Sequence, residues 1–384
     1  NMNTLHLKDE QLSWAKETLR RTAAKLEKVS ARSAHKIPYT TVNGVHDDRS
    51  GPEQISWWTN GFWGGMMWQL YKLTGSESYR VNAEENERKL DANFLQYDML
   101  DHDNGFKWLP TAVADYRVTG SRESRNRGLL AANHLAGRYN VAGRFIRAWN
   151  DWSDNGRDHR GWAIIDCLMN LPLLYWASEE TGDPRFAQIA ESHAHTAKRC
   201  FLRGDGSVRH IVEFDPATGE MVRDYGGQGY TEGSSWTRGQ TWALYGFTLS
   251  FLHTGNREFL DAAERVANYF IANIPENGLI PVDFRQPEDV QWEDSTAAAI
   301  ASCALIELAK LTEGRQSAIY LNAALKMLRA LTEHSFSWDE NEDCLLTKCT
   351  GAYHDAAHEF SIIYGDYYFL EALMKLTGDE LFIW

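Results

Sequence analysis

An apolar stretch of helical character runs into a Thr-Gly pair at five points along the chain, and a sixth point carries the variant Thr-Glu-Gly. The pairs begin at Thr74, Thr119, Thr181, Thr254 and Thr377, and the variant begins at Thr312. Glycine commonly ends a helix, because it adopts the left-handed backbone conformation that closes the helix without a steric penalty. A recurring turn signal between helix pairs indicates one supersecondary unit repeated along the chain.

The stretches on the two sides of these turns differ in pattern. Those before the turns are apolar on nearly all sides, as in residues 167–177 and 297–308, which is typical of buried helices. Those after the turns carry charges at regular positions, which is typical of helices with one face in solvent. Buried helices are expected to begin near Asn60, Asp103, Asp166, Gly239, Ser295 and Asp366, and solvent-facing helices near Lys8, Glu77, Arg122, Pro184, Arg257 and Gln316. Six buried helices inside six amphipathic ones predict an all-α fold, an (α/α)6 barrel, with residues 1–384 as a single domain.

The connections differ between the two ends of this barrel. Turns at the Thr-Gly end are short, whereas the returns at the other end are mostly longer and rich in aromatic residues, Gly and His. The returns cover residues 37–57, 98–104, 142–162, 204–236 and 277–292. Long irregular connections on a rigid scaffold commonly carry binding and catalytic groups. The sequence therefore predicts a functional end opposite the Thr-Gly turns.

Charge and composition disfavour several classes of function. The formal net charge of −14 disfavours nucleic acid as a partner, since phosphate binding requires a basic face. No run of about 18 apolar residues predicts a membrane span, and residues 1–10 show no secretion signal. The five cysteines include no Cys-x-x-Cys pair, which favours reduced thiols in a cytoplasmic protein over a disulfide framework or a zinc site. No metal and no nucleotide cofactor are predicted.

Aromatic residues are concentrated at the predicted functional end, and the chain holds 15 Trp in all. Flat apolar rings beside polar donors suit the faces of sugars. For Trp242, which falls on a predicted buried helix, core packing explains the residue equally well. Trp149 and Trp152 lie in a polar loop, where contact with a ligand is the better interpretation.

Carboxylates occur at three of the predicted starts of buried helices. Asp166 interrupts an apolar run, and burying its charge without a partner is costly. Two interpretations remain open for it: a cap of its own helix, or a general acid whose pKa is raised by desolvation. Asp103 taken alone is better explained by an Asx turn before Gly105, and Asp366 by a helix cap. Asp166 and Asp103 facing one cavity would form a candidate acid/base pair.

A glycine-rich turn around Gln228 leads to Arg238 at the start of a predicted buried helix. An arginine there predicts a bidentate contact with a substrate carboxylate. The turn is not a nucleotide loop, because it lacks the Gly-Lys-Ser/Thr ending and a preceding strand. His210 either adds a donor nearby or has a structural role.

These residues also carry a resemblance to a known family. Its strongest segments are Ile-Asp-Cys-Leu around Asp166 and Ser-Trp-Thr-Arg-Gly-Gln around Arg238. The complete set covers residues 58–63, 102–106, 164–172, 233–240 and 365–368, in order along almost the whole chain. The chain resembles the unsaturated glucuronyl hydrolases of glycoside hydrolase family 88.

The resemblance implies both a reaction and a set of site residues. The substrates would be short anionic oligosaccharides that end in a 4,5-unsaturated uronic acid. Asp166 would protonate C4 of the vinyl ether and then deprotonate the water that adds at C5, with Asp103 assisting. One acid that becomes a base suffices, so the distance rule for paired glycosidase carboxylates does not apply. The residues implied to line the substrate are Trp58, His102, Trp149, His210, Gln228, Trp236, Arg238 and Trp242.

The chain also departs from the family pattern. Asn60 stands where the family often has Asp. Family members that prefer sulfated substrates carry Ser and Lys close to the final Tyr-Tyr stretch. This chain has Ser361 but no Lys close before Tyr367, so the resemblance favours unsulfated substrates. The nearest rival function is that of an unsaturated rhamnogalacturonyl hydrolase with the same chemistry. A sugar 2-epimerase would require facing histidines, and a non-catalytic glycan-binding protein would need no acid at all. A monomer or small homo-oligomer is expected.

Overall fold

Twelve long helices dominate the fold of residues 4–151 and 157–384, which are the residues described by this computed structural model. They are α1 (Asp9–Arg32), α2 (Phe62–Thr74), α3 (Glu77–Lys89), α4 (Asn104–Trp108, Leu109–Val113 and Ala114–Thr119, the middle segment π-helical), α5 (Arg122–Ala136), α6 (Leu171–Thr181), α7 (Arg185–Cys200), α8 (Thr237–Thr254), α9 (Arg257–Ala272), α10 (Ser295–Leu311), α11 (Gly314–His334) and α12 (Ile363–Thr377). Trp152, whose polar loop predicted contact with a ligand, lies outside the described residues.

The even-numbered helices form a closed inner ring. Each packs on the next, from α2 through α4, α6, α8 and α10 to α12, and α12 packs back on α2. Helix α10 is buried without interruption from Ser295 to Ala309, as expected for an inner helix. Helix α9, by contrast, buries one stripe that includes Phe259, Ala263 and Val266. The closed ring confirms the predicted (α/α)6 barrel.

Four of the five Thr-Gly pairs join an inner helix to an outer one by a common set of hydrogen bonds. The Thr74 hydroxyl donates to the carbonyl of Leu70 at 2.8 Å and accepts from the amide of Ser76 at 3.2 Å, and Thr119, Thr181 and Thr254 repeat both contacts. Gly75 follows with φ of 70°, a conformation that a Cβ would disfavour. The hydroxyl therefore links the last helical turn to the start of the next helix.

Two inner helices begin away from their predicted starts. Helix α6 begins at Leu171, and Asp166 lies before it in a short 3-10 turn, Ile165–Met169. Helix α12 begins at Ile363, which places Asp366 inside its first turn. The Asp366 carboxylate accepts hydrogen bonds from the amides of Leu345 and Leu346. The expectation that Asp366 caps its own helix is therefore wrong, because it holds a neighbouring loop instead.

Short strands occur in and beside the long returns, which the sequence predicts to be irregular. Two hairpins pair β1 (Thr41–Val42) with β2 (Val45–His46) and β3 (Tyr139–Asn140) with β4 (Phe145–Ile146). A three-stranded antiparallel sheet contains β5 (Trp162–Ile164), β6 (Ile211–Phe214) and β7 (Met221–Tyr225). In its register Ile164 faces Ile211, so β5 is held directly before the turn that carries Asp166.

Two further expectations concern the chain as a whole. The five cysteines at positions 167, 200, 303, 344 and 349 are buried free thiols, which agrees with the prediction that they form no disulfide. Within residues 4–151 and 157–384, every helix is too short or too polar to cross a membrane.

Candidate active site

A cavity of about 510 Å³ opens at the end of the barrel opposite the Thr-Gly turns. We call it the central cavity. Its volume lies in the range of small-molecule sites, roughly 300–1,000 Å³. Of the residues predicted for the site, the central cavity is lined by Trp58, Asp103, Trp149, Asp166, Gln228, Trp236, Arg238 and Trp242. The structure therefore brings most of the predicted residues together at the predicted end.

Asp166 enters the central cavity from the turn between β5 and α6. The amide of Ile165 donates to the carbonyl of His210 at 3.0 Å, which fixes the backbone just before it. The Asp166 side chain is 17% exposed, and its Oδ1 is buried without a hydrogen-bond partner among the described residues. Burial raises the pKa of Asp166 to about 6, because the ionised form loses its hydration. Of the two interpretations left open by the sequence, helix capping is wrong, since Asp166 caps no helix amide.

Asp103 lies directly before α4, with its carboxyl group almost fully buried. The Asx turn expected of Asp103 is formed by Asp101, whose Oδ1 accepts from the amide of Asp103 at 2.8 Å. That expectation is therefore wrong, and the Asp103 carboxyl group is free for other contacts. Burial, reinforced by the nearby charge of Asp101, raises the pKa of Asp103 well above its usual value.

His102 lies between the two carboxyl groups. Its Nε2 is 3.3 Å from Oδ1 of Asp103 and 3.8 Å from Oδ2 of Asp166. Burial lowers the pKa of His102, and the charge of Asp166 opposes that effect. The imidazole has no exposed surface and does not line the central cavity. His102 thus contacts the two carboxyl groups. Because it does not line the cavity, the structure gives no support to the expected contact between His102 and the substrate.

The same three residues could hold a metal ion by distance alone. His102, Asp103 and Asp166 each offer one ligand atom, and these atoms lie within 4.8 Å of one another. Burial raises the pKa of both carboxyl groups, which opposes the ionised form that a cation prefers in its ligands. The absence of a metal cofactor stays a prediction.

Asn170 connects the two aspartate segments, a role that its place in the sequence does not predict. Its Nδ2 donates to Oδ1 of Asp103 and to the carbonyl of Asp166, each at 3.3 Å, and its Oδ1 accepts from the amide of Phe106 at 2.8 Å. A Cβ on Gly105 would lie only 2.4 Å from Cα of Asn170. The two segments therefore approach each other as closely as their backbones allow. The one sequence signal for this contact is that Asn170 follows Asp166 by four residues.

Arg238 lines the central cavity, but its terminal nitrogens are already engaged. Nη1 donates to Oδ2 of Asp294 at 2.8 Å and to the carbonyl of Thr350 at 2.6 Å, and Nη2 donates to the carbonyl of Gly351. The guanidinium is 1% exposed, and Asp294 is fully buried. Three of the five N–H groups of Arg238 are therefore held by protein oxygens, and the expected bidentate contact with a substrate carboxylate stays a prediction. Only Nε lacks a partner among the described residues.

Gln228 and His210 form a connected pair beside the central cavity. The amide of Gln228 donates to Nδ1 of His210 at 3.0 Å, which assigns the imidazole proton to Nε2. Burial lowers the pKa of His210 to about 3, so the ring is neutral. It packs on Trp236 with ring centroids 4.2 Å apart and borders an adjoining groove, not the central cavity. His210 therefore presents a neutral donor behind the wall that Gln228 and Trp236 form.

Aromatic rings form the floor of the central cavity. Trp58 lies edge-on to Trp242, with centroids 6.4 Å apart, and contacts Tyr364 at 4.9 Å. Trp242 is almost fully buried and packs on Phe106 at 5.1 Å, so it belongs both to the core and to the cavity wall. Trp149 is half-buried and also lines the cavity. The rings offer flat apolar surfaces beside the two acids.

A helical barrel with buried carboxyl groups over an aromatic floor defines a class of carbohydrate-processing proteins, and comparison with known proteins narrows it. The model of Glycosyl Hydrolase Family 88 matches residues 29–376. The chain is 38% identical to an unsaturated glucuronyl hydrolase of Bacillus sp. strain GL1, over 85% of this chain and 88% of the relative. It is 36% identical to an unsaturated chondroitin disaccharide hydrolase of Streptococcus pneumoniae, over 85% and 83%.

A solved structure supports the same family assignment. The unsaturated glucuronyl hydrolase of Streptococcus agalactiae superposes with a TM-score of 0.87 at 29% identity, covering 99% of this chain and 95% of that one. The protein therefore belongs to Glycosyl Hydrolase Family 88 and is a glycoside hydrolase.

Proposed function

We propose that this glycoside hydrolase removes a 4,5-unsaturated uronic acid from the non-reducing end of short oligosaccharides by hydrating its vinyl ether, with Asp166 as the general acid and base. One observation carries the proposal: a desolvated carboxyl group with a pKa of about 6 faces an aromatic cavity beside a second buried acid. Protonation of an alkene carbon requires a carboxylic acid, and the raised pKa keeps the acid form of Asp166 available at higher pH than for an ordinary aspartate. The names of the relatives support this substrate class.

The reaction uses Asp166 twice. Its proton adds to C4, and the positive charge that forms at C5 is shared with the ring oxygen. A water molecule then adds through its oxygen to C5 and gives a proton to the Asp166 carboxylate, which restores the acid. The resulting hemiketal opens by breaking the bond between C5 and the ring oxygen: C5 becomes a ketone, and the proton of its hydroxyl passes to the ring oxygen, which remains on C1 as a hydroxyl. C1 is then a hemiacetal. It becomes an aldehyde when the bond from C1 to the glycosidic oxygen breaks and the C1 hydroxyl proton passes to that oxygen, which leaves with the next sugar.

The neighbours of Asp166 have supporting roles in this proposal. Asp103, held by Asn170 and beside His102, assists Asp166 from a buried position that raises its own pKa. Trp58 and Trp149 stack on sugar faces. Gln228, Trp236, Arg238 and Trp242 shape the wall, and His210 and His102 act from behind it.

The proposal is tested by following the ultraviolet absorption of the conjugated alkene in unsaturated disaccharides from chondroitin, hyaluronan, heparin and pectin lyases. The wild type should consume at least one of the uronic disaccharides, and Asp166→Asn should abolish turnover while the ligand still binds. An intact alkene in every sample would contradict the proposal. Full turnover by Asp166→Asn would contradict the role of Asp166. Consumption of the pectin-derived substrate alone would favour the rhamnogalacturonyl hydrolase.

Three statements about the whole protein belong to the same proposal. We infer one catalytic domain over residues 1–384, supported by a hydrophobic cluster that reaches from Ala15 to Trp384. We infer a cytoplasmic location, supported by five free buried thiols, and a monomer or small homo-oligomer. Cell fractionation tests the location, and light scattering tests the oligomeric state.

A further inference from the structure

Arg49 lies on the wall of the central cavity, in the return between α1 and α2. Its amide donates to the carbonyl of Ile37 at 2.8 Å. Its own carbonyl accepts from Nδ2 of Asn60 at 3.3 Å. The backbone that carries the guanidinium is thus held on both sides, although no pattern in the sequence marked Arg49 as functional.

The guanidinium of Arg49 is oriented by its neighbours. Nε donates to Oδ2 of Asp47 at 3.0 Å, and Oδ1 of Asp47 accepts from the amides of Tyr39 and Thr40. The guanidinium carbon lies 4.5 Å from the ring centre of Tyr39 and 5.5 Å from that of Trp57, where aromatic faces attract a cation. The side chain is 23% exposed. Its two terminal nitrogens donate no hydrogen bond to any described residue, so a fixed pair of donors remains available.

The other charges of the central cavity make this pair unusual. Two cationic residues line the described wall, Arg49 and Arg238, among the acids Glu53, Asp98, Asp101, Asp103 and Asp166. Arg238 uses both terminal nitrogens on protein oxygens. Arg238 is also only 1% exposed, whereas Arg49 is 23% exposed. An anionic sugar that enters this acidic cavity therefore meets Arg49 as the more accessible cation of the described wall, with both terminal nitrogens available.

We propose that Arg49 binds an oxyanion of the substrate and so determines which anionic sugars are accepted; the inference rests on the proposed function. Two substrate groups have this chemistry: the carboxylate of the unsaturated uronic acid and a sulfate on the neighbouring sugar. A guanidinium binds either group through two parallel hydrogen bonds, which a lysine ammonium does not reproduce.

The test compares Arg49→Gln and Arg49→Lys with the wild type on unsaturated chondroitin disaccharides that are unsulfated, 4-sulfated or 6-sulfated. Loss of a charge-assisted contact should lower kcat/KM by about tenfold or more, chiefly through KM, and Arg49→Lys should recover part of the loss. Arg20→Gln is the matched control, because it removes an arginine from an exposed pair with Glu17. Melting temperatures verify that each variant is folded.

The substrates distinguish the two oxyanions. A loss on all three disaccharides assigns the uronate carboxylate, whereas a loss confined to the sulfated ones assigns the sulfate and contradicts the predicted preference for unsulfated substrates. Unchanged kcat/KM on all three overturns the role of Arg49.

A binding measurement separates this inference from the proposed function. Calorimetry with the same disaccharides in the Asp166→Asn background needs no turnover, and adding Arg49→Gln should weaken the affinity by the same factor as it lowers kcat/KM. Absence of turnover by the wild type contradicts the proposed function alone. Unchanged affinity in the double variant contradicts the role of Arg49 alone.

Discussion

The side-chain amide of Asn170 donates a hydrogen bond to the carboxyl group of Asp103, and this contact joins segments separated by 67 positions in the chain. The same amide group binds the carbonyl of Asp166, and Oδ1 of Asn170 binds the amide of Phe106. One buried side chain therefore sets the distance between the two acids. Asn170 acts on the reaction through Asp103 and Asp166, which makes it a positioning residue.

Replacing Asn170 should slow catalysis more than it weakens binding. Asn170→Ala removes three hydrogen bonds that align the acids, and a displacement of about 1 Å can cost roughly 100-fold in rate. We expect kcat to fall by about that factor with little change in KM. Asn170→Asp should also shift the pH profile of kcat, because a second carboxyl group then faces Asp103. Asn133→Ala, on an exposed face of α5, is the control, and an unchanged pH profile for Asn170→Asp would argue for a purely structural role.

The rate should depend on the protonation of Asp166. The acid form starts the reaction, and the pKa of Asp166 is raised to about 6 by burial. We therefore expect kcat/KM to be highest below about pH 6 and to fall about tenfold for each further pH unit. A pH series with an unsulfated disaccharide tests this, and a rate that rises steadily from pH 6 to 9 would exclude a protonated Asp166 as the starting form.

The free energy of unfolding should fall as the pH rises and Asp166 ionises. The folded-state pKa of Asp166, about 6, lies above its ordinary value of 3.8, so the folded protein holds the proton more tightly than the unfolded chain. This contribution is fully present below about pH 4 and is lost as the pH rises through 6, at a cost on the order of 3 kcal/mol. Asp166→Asn, which cannot ionise, should therefore unfold at a higher temperature than the wild type at pH 8. The two proteins should converge near pH 4, and an equal difference at both pH values would refute the assignment.

Gly105 should not tolerate a side chain. A Cβ there would lie 2.4 Å from Cα of Asn170, a backbone atom that can move only with the turn after β5. Gly105→Ala is expected to destabilise the fold by roughly 1–3 kcal/mol, as overpacking commonly does, and to lower kcat by separating the two acids. Gly204→Ala provides the matched control, because its Cβ would meet no atom within 4 Å. Equal melting temperatures for the two variants would show that Gly105 and Asn170 pack less tightly than the structure indicates.

Much of the architecture follows from local sequence. The Thr-Gly pairs act through bonds within a few residues of Thr74 and its equivalents, so a reader of the sequence can place each turn. The contrast between all-apolar and one-sided helices then orders them into inner and outer rings. The strands of the returns were not predicted, because segments as short as Trp162–Ile164 gain their order from a distant partner strand.

Local sequence predicts the barrel and its functional end, because helix period and turn chemistry are local properties. The two acids follow from the family motifs, since the residues alone left capping and turn roles open for them. What each polar group contacts depends on the closed fold. It gave the terminal nitrogens of Arg238 to Asp294 and to carbonyls beyond position 349, and it placed the amide of Asn170 on Asp103. Among the described residues, it also left the terminal nitrogens of Arg49 without a hydrogen-bond acceptor in the cavity wall. These contacts depend on which groups the closed ring buries together. Desolvation and hydrogen-bond pairing are set by distances across the fold, which neighbouring positions in the sequence do not determine.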